Sequence, residues 1–124
     1  MLPILKSLMT FDGGEIENFR PELQHNFHVL LHLRIGLSDQ DGADDFSLGV
    51  CTPTWIEHHV SNAGRAEWGR HLLIVNDFDG AQLKATIQRR IASCGRADWS
   101  MTAEVLSRYF AWEFEDYRAD VVPA

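Results

Sequence analysis

The six histidines are the residues whose spacing most directly suggests chemistry. His28 and His32 lie four residues apart, a spacing that on a helix would place both imidazoles on one face as a pair of metal ligands. Residues 27–35 instead alternate between apolar and polar types, which predicts a strand with the two imidazoles about 13 Å apart on one face. A small His-dependent metal- or ligand-binding protein, or a hydrolase that gains a third group through the fold, is therefore the alternative interpretation.

Other catalytic patterns do not occur in the sequence. There is no GxSxG nucleophile motif, and Cys51 and Cys94 match no CxxC or metal-binding pattern. The glycines form neither a GxGxxG nor a Walker-type loop, so the sequence does not predict a phosphate cradle built from backbone amides. We therefore predict that the chain is not an enzyme and that it has no catalytic residue, metal or cofactor.

The charge of the chain is acidic, with 18 Asp and Glu against 11 Lys and Arg and a formal net charge of −7. Such a chain is unsuited to binding nucleic acid through phosphate contacts but suits a basic protein partner. Basic residues concentrate on one side of a predicted helix, at Lys84, Arg89, Arg90 and Arg96. Two acidic clusters are predicted to bind the partner, with a solvated surface as the alternative: Asp39, Asp41, Asp44, Asp45, Glu113, Glu115 and Asp116.

Aromatic residues interleave with the acids of the second cluster. Trp112, Phe114 and Tyr117 are separated by Glu113, Glu115 and Asp116. On a strand, these aromatic side chains either pack into the core or, if exposed, form an anchor for a partner protein, because Trp and Tyr contribute much of the energy of protein interfaces. The sequence leaves both alternatives open.

The periodicity of the chain predicts a single α+β domain over residues 1–124, with a largely antiparallel sheet of four to five strands and about three helices. The strands are predicted at 2–11, 27–35, 46–51 and 72–75, with a short closing strand over 112–117. The apolar run 72–75 is expected to be a central strand that is covered on both faces. The helices are predicted at 53–60, from Asp79 to Cys94, and from Asp98 or Ser100 onward, with Thr52 as the first cap.

Targeting signals are not apparent in the sequence. The start has no positively charged region before an apolar stretch, and the longest purely apolar run, 72–75, is far shorter than the roughly 20 residues of a membrane-spanning helix. We therefore predict a cytoplasmic protein without membrane contact. An exposed strand edge would allow a homodimer.

Three blocks of sequence resemble the immunity protein 8 family of bacterial polymorphic toxin systems. They are Val50-Cys-Thr-Pro-Thr-Trp-Ile56, Gly69-Arg-His-Leu-Leu-Ile-Val75 and Leu106-Ser-Arg-Tyr-Phe-Ala-Trp-Glu-Phe-Glu-Asp-Tyr117, and the similarity extends from Leu5 to Tyr117. The resemblance implies a cytosolic inhibitor, encoded beside a secreted toxin, that binds and blocks that toxin. It implies no site residues. The acidic charge adds the hypothesis that the toxin is a nuclease, whose cleft must be basic.

Overall fold

The alternation of β2 (His28–Leu37) organises the sheet. In the computed structural model, which describes residues 2–114, the odd-numbered apolar residues of this strand are buried, including Leu31, Leu33 and Ile35. The even-numbered residues His28, Leu30 and Arg34 are exposed on the outer face. The predicted strand with one face in the core and one face toward solvent is therefore confirmed.

The sheet has four strands besides β2, namely β1 (Pro3–Thr10), β3 (Asp44–Cys51), β4 (Leu72–Ile74) and β5 (Ala111–Trp112). Their order is β1-β2-β3-β4, with β5 also paired to β3. The pairs β1–β2, β2–β3 and β3–β5 are antiparallel, and β3–β4 is parallel. The helices are a short 3₁₀ helix (Ile16–Asn18), α1 (Pro53–Asn62), α2 (Gly80–Ala92) and α3 (Trp99–Leu106). The α+β class with a largely antiparallel sheet is confirmed.

The inner face of the sheet packs against apolar residues of α2 and α3. Leu83, Ile87 and Ile91 recur at helical spacing along α2 and are buried, and Leu106 of α3 joins the same core. α2 begins at the predicted cap, Asp79, and of the two starts predicted for α3 the structure has Asp98. The carboxylates of both aspartates accept hydrogen bonds from the first turn of their helices. Within residues 2–114, none of the helices has the length and hydrophobicity that a membrane-spanning segment requires.

The buried hydroxyl of Thr52 joins the start of β2 to the start of α1. Its Oγ1 accepts from the backbone N–H of Phe27 at 3.2 Å and from that of Trp55 at 3.4 Å. Pro53 follows at the first helical position, where a missing N–H is not needed. The predicted cap at Thr52 is thus confirmed, and it has a second bonding partner across the sheet.

The position of β4 differs from the prediction. The run 72–75 was expected to form a central strand, but β4 pairs only with β3 and lies at an edge of the sheet, with the Ile74 side chain 56% exposed. Leu73 packs on the core and Leu72 lies over Gly49, so apolar contacts cover parts of both faces of β4 although it has a strand on only one side. The apolar run thus indicates that both faces of the strand are covered, but it does not predict how many strands pair with it.

The closing strand is shorter than predicted. β5 contains only Ala111 and Trp112, which pair with Ser47 and Phe46 of β3. The rest of the predicted strand beyond Phe114 lies outside the described residues, as do Glu115, Asp116 and Tyr117. The edges of the sheet are therefore β1 on one side and β4 with β5 on the other, and homodimerisation through an edge stays a prediction.

The hairpin between β2 and β3 depends on the lack of a side chain at Gly36. A Cβ at this position would overlap the carbonyl oxygen of Gly42 and lie 3.1 Å from the Cα of Ala43. We predict that Gly36→Ala lowers the free energy of unfolding by about 1–3 kcal/mol, because the backbone of the turn must shift. Gly42→Ala is the matched control, since its Cβ would meet no atom within 4 Å. Urea unfolding measures both, and equal stability of the two variants would contradict this packing.

Candidate partner-binding surface

The two acidic clusters meet at one end of the sheet. The backbone N–H of Glu113 donates to the carbonyl of Asp45 at 3.1 Å, and the backbone N–H of Asp45 donates to Oε1 of Glu113 at 3.0 Å. Asp39 and Asp41 are exposed in the turn that leads into β3. We call Asp39, Asp41, Asp45 and Glu113 the acidic surface. The fold thus brings together residues that are 68 positions apart in the sequence.

Asp44 has a different role from its neighbours in the sequence. Its Oδ2 accepts hydrogen bonds from the indole N–H of Trp99 at 2.9 Å and from that of Trp112 at 3.0 Å. Both indoles pack against the core. The carboxylate that was predicted to bind a partner is therefore occupied in holding α3 and β5 on β3.

Asp45 is partly neutralised by the outer face of β2. Its Oδ1 lies 3.1 Å from Nε2 of His32 and 3.6 Å from Nε of Arg34. Lys6 donates to the carbonyls of Gln40 and Gly42, so its ammonium lies at the turn as well. The negative charge of the acidic surface consequently rests mainly on Asp39, Asp41 and Glu113.

The aromatic residues beside the acidic surface divide between core and surface. Trp112 stacks on Phe46 with ring centroids 6.4 Å apart and is half-buried, so it serves the core. Phe114 contacts Trp112 edge to face at 5.7 Å but is 46% exposed. Of the two aromatic residues of this segment that the structure describes, Phe114 is the one more accessible to a partner.

Trp68, in the loop between α1 and β4, is a candidate contact residue that no sequence pattern predicts. Its indole is 95% exposed, which is unusual for a tryptophan, since this residue type is highly buried on average. Exposed Trp residues are frequent anchors of protein interfaces. No periodicity marks Trp68, so only its exposure in the fold identifies it.

His28 and His32 belong to two separate sites. His28 and His59 stack on Trp55, at centroid distances of 4.5 and 4.4 Å, and His59 pairs with Glu67 at 2.8 Å. His32 instead contacts Asp45. His28 and His32, which the alternative interpretation places in one site, therefore contact different residues, Trp55 and Asp45. Within residues 2–114, no group of three or more His, Cys, Asp or Glu side chains is arranged to hold a metal ion.

The protonation of His28 is disfavoured by its surroundings. Partial burial lowers the pKa of this imidazole below its ordinary value, and the nearby charge of His59 lowers it further. Protonation of both rings would place a positive charge on each side of Trp55. The stack is thus most stable when His28 is neutral.

Replacing Asp44 tests its structural role. We predict that Asp44→Ala lowers the free energy of unfolding by about 1.5–3 kcal/mol, because two indole N–H groups lose a charged acceptor. Asp39→Ala, at an exposed position of the same turn, should change it by less than about 0.5 kcal/mol. Chemical unfolding compares the two, and an unaffected Asp44→Ala variant would refute the role of the carboxylate as a clamp.

The histidine stack predicts a pH dependence of stability. Because the folded pKa of His28 is lowered, the unfolded chain binds a proton more readily as the pH falls below about 6.5, and the free energy of unfolding decreases. We expect His28→Gln to have a smaller decrease between pH 7.5 and pH 5 than the unmodified chain. His25→Gln, at an exposed position, should keep the full decrease. Identical pH profiles for both variants would show that His28 does not contribute.

One protein-family model matches the sequence of this chain. The family model described as Immunity protein 8 matches residues 4–117, which is nearly the whole chain. A search of curated proteins gave no significant match, and neither did a search of solved structures. The match covers the acidic surface, the Asp44 clamp and the histidine stack described above. The chain belongs to the immunity protein 8 family.

Proposed function

We propose that this chain is a cytoplasmic inhibitor that binds the toxin domain encoded beside it and blocks that toxin by forming a stoichiometric complex. Membership of a family of immunity proteins supports a protein partner. The observation that carries the site is the junction of Asp45 with Glu113, which joins two acidic clusters into one surface. The inhibitor needs no chemistry of its own, because occlusion of the toxin is sufficient.

The acidic surface supports recognition by charge. Asp39 and Asp41 are exposed, and Glu113 is exposed while its backbone is fixed to β3. Complementary charge between two proteins speeds their association and selects the partner. Phe114, next to Glu113, supplies an apolar contact within the same surface. A partner with clustered Lys and Arg around an apolar pocket fits this arrangement.

A nuclease is the toxin class that fits such a surface best. The active cleft of a nuclease must hold phosphates and is therefore rich in positive charge. The net charge of −7 of this chain provides the opposite sign. On this proposal the acidic surface covers the cleft of the toxin and excludes its nucleic-acid substrate.

Co-expression is the direct test of immunity. The toxin domain encoded beside this chain is induced in a sensitive host with and without the chain, and the tagged chain is then purified. Restored growth together with a 1:1 complex supports inhibition by binding. Restored growth without a complex contradicts it and favours modification of the toxin or its target. The alternative histidine-dependent activity is tested in the same strain with His28→Gln and His32→Gln, which should leave protection unchanged.

Charge removal at the acidic surface should weaken the complex. We predict that the triple variant Asp39→Asn, Asp41→Asn, Glu113→Gln binds the toxin at least about tenfold more weakly at low salt, mainly through slower association. The amide oxygen introduced by Glu113→Gln can still accept from the Asp45 N–H, so the backbone junction is retained. Surface plasmon resonance at several salt concentrations measures the rates.

The matched control carries the same change in net charge at exposed positions elsewhere: Glu22→Gln, Asp77→Asn and Glu104→Gln. It should bind nearly as well as the unmodified chain. Equal weakening by both triple variants would show that only the net charge matters. An affinity that does not depend on salt would contradict capture by charge altogether.

A further inference from the structure

A cleft lined by arginines lies on the side of the sheet that carries α2. It has a volume of about 640 Å³ and lies between the residues that precede β4, one side of α2 and the segment after α3. The four arginines that line it come from these three places: Arg70, Arg89, Arg90 and Arg108. Among the described residues that line the cleft there is no Asp or Glu. In a chain with an excess of acids, Arg89, Arg90 and Arg108 concentrate positive charge at this cleft.

The walls of the cleft are held in a fixed arrangement. His71 has a φ of +56°, a conformation that costs energy for a residue with a side chain. Its Nε2 donates to the carbonyl of Ser107 at 2.8 Å, and its own carbonyl accepts from the N–H of Gly49 at 3.0 Å. The strained residue thus ties the segment after α3 to the sheet. A strained residue persists only where the surrounding structure holds it in place. Such residues cluster at ligand-binding and active sites.

The guanidinium groups of Arg89 and Arg90 contact groups other than carboxylates. Arg90 lies over the ring of Tyr109, 4.2 Å from its centroid, and Arg89 lies 3.3 Å from the hydroxyl of Thr86. In the part of the chain that the structure describes, none of Arg89, Arg90 and Arg108 forms an ion pair with an acid. An anion that enters the cleft would relieve their mutual repulsion.

The interior of the cleft is apolar. Leu73, Ile87 and Phe110 line it and belong to the core or pack against it, while the ring of Tyr109 is exposed at its edge. A ligand that fits both parts has several negative oxygens at one end and a flat or apolar body at the other. The volume lies within the usual range of small-molecule sites, about 300–1,000 Å³.

We propose that this cleft binds a small organic polyphosphate of the size of a nucleoside diphosphate or triphosphate. Arginine forks match phosphate oxygens in pairs, and several forks suit a ligand with several charges. The base stacks on Tyr109 beside Arg90, and the phosphates lie between Arg89 and Arg108. This site uses side chains, so it needs none of the glycine-rich loops that the sequence lacks. It shares no residue with the acidic surface and does not depend on toxin binding.

Isothermal titration calorimetry at low ionic strength tests the proposal with ATP, ADP, pyrophosphate and adenosine as probes. The full chain is compared with the double variant Arg89→Gln, Arg108→Gln. The matched control is Arg20→Gln, Arg96→Gln, which removes the same charge at exposed positions outside the cleft. Urea unfolding confirms that both variants are folded before they are titrated.

We expect saturable 1:1 binding of ATP, weaker binding of pyrophosphate and no binding of adenosine. The double variant in the cleft should lose at least about tenfold in affinity for ATP, and the control should keep it. Lack of binding by ATP and ADP, or an equal loss in the control, would overturn the proposal. Equal affinity for ATP and pyrophosphate would overturn the role of Tyr109. If ATP does not bind and the cleft variant loses the toxin complex, the cleft is a protein interface and immunity by binding still holds.

Discussion

The carboxylate of Asp44 connects α3 and β5 to the central hairpin of β2 and β3. It lies at the first residue of β3 and accepts hydrogen bonds from Trp99, which begins α3, and from Trp112, which ends β5. Because β5 forms only two residue pairs with β3, ladder bonds alone would hold it weakly. Glu113 directly follows Trp112, and its position beside Asp45 depends on this clamp. The acids of the turn and Glu113 therefore form one surface because the neighbouring carboxylate of Asp44 holds β5 in place.

The net charge of −7 is a sum over the whole sequence, within which two regions carry opposite local charge. Asp39, Asp41 and Glu113 concentrate negative charge at the turn between β2 and β3, and the arginine-lined cleft concentrates positive charge beside α2. A partner that approaches either region experiences mainly the local field, since charges are screened beyond about 8–10 Å at physiological salt. On the two proposals made above, one small fold offers separate sites to a basic toxin and to a small anion.

The sequence predicted the features that depend on neighbours in the chain. The alternation in β2 and the caps at Thr52, Asp79 and Asp98 are local patterns, and the structure has them as predicted. Asp44 and Asp45 are equivalent by composition, but they face opposite sides of the sheet, and the partners of Asp44 are 55 and 68 positions away. The edge position of β4 and the gathering of Arg70 with Arg108 likewise arise only from tertiary contacts.

On the proposed function, protection arises because one molecule of this chain occupies one molecule of the toxin. Titration of a fixed amount of purified toxin domain with this chain tests it most directly, with the remaining toxin activity as the readout. Stoichiometric inhibition predicts a linear fall that ends at one equivalent, with no further change on longer incubation. Complete loss of activity at a small fraction of one equivalent, progressing with time, would mean that the chain acts by turnover and would contradict inhibition by stoichiometric binding.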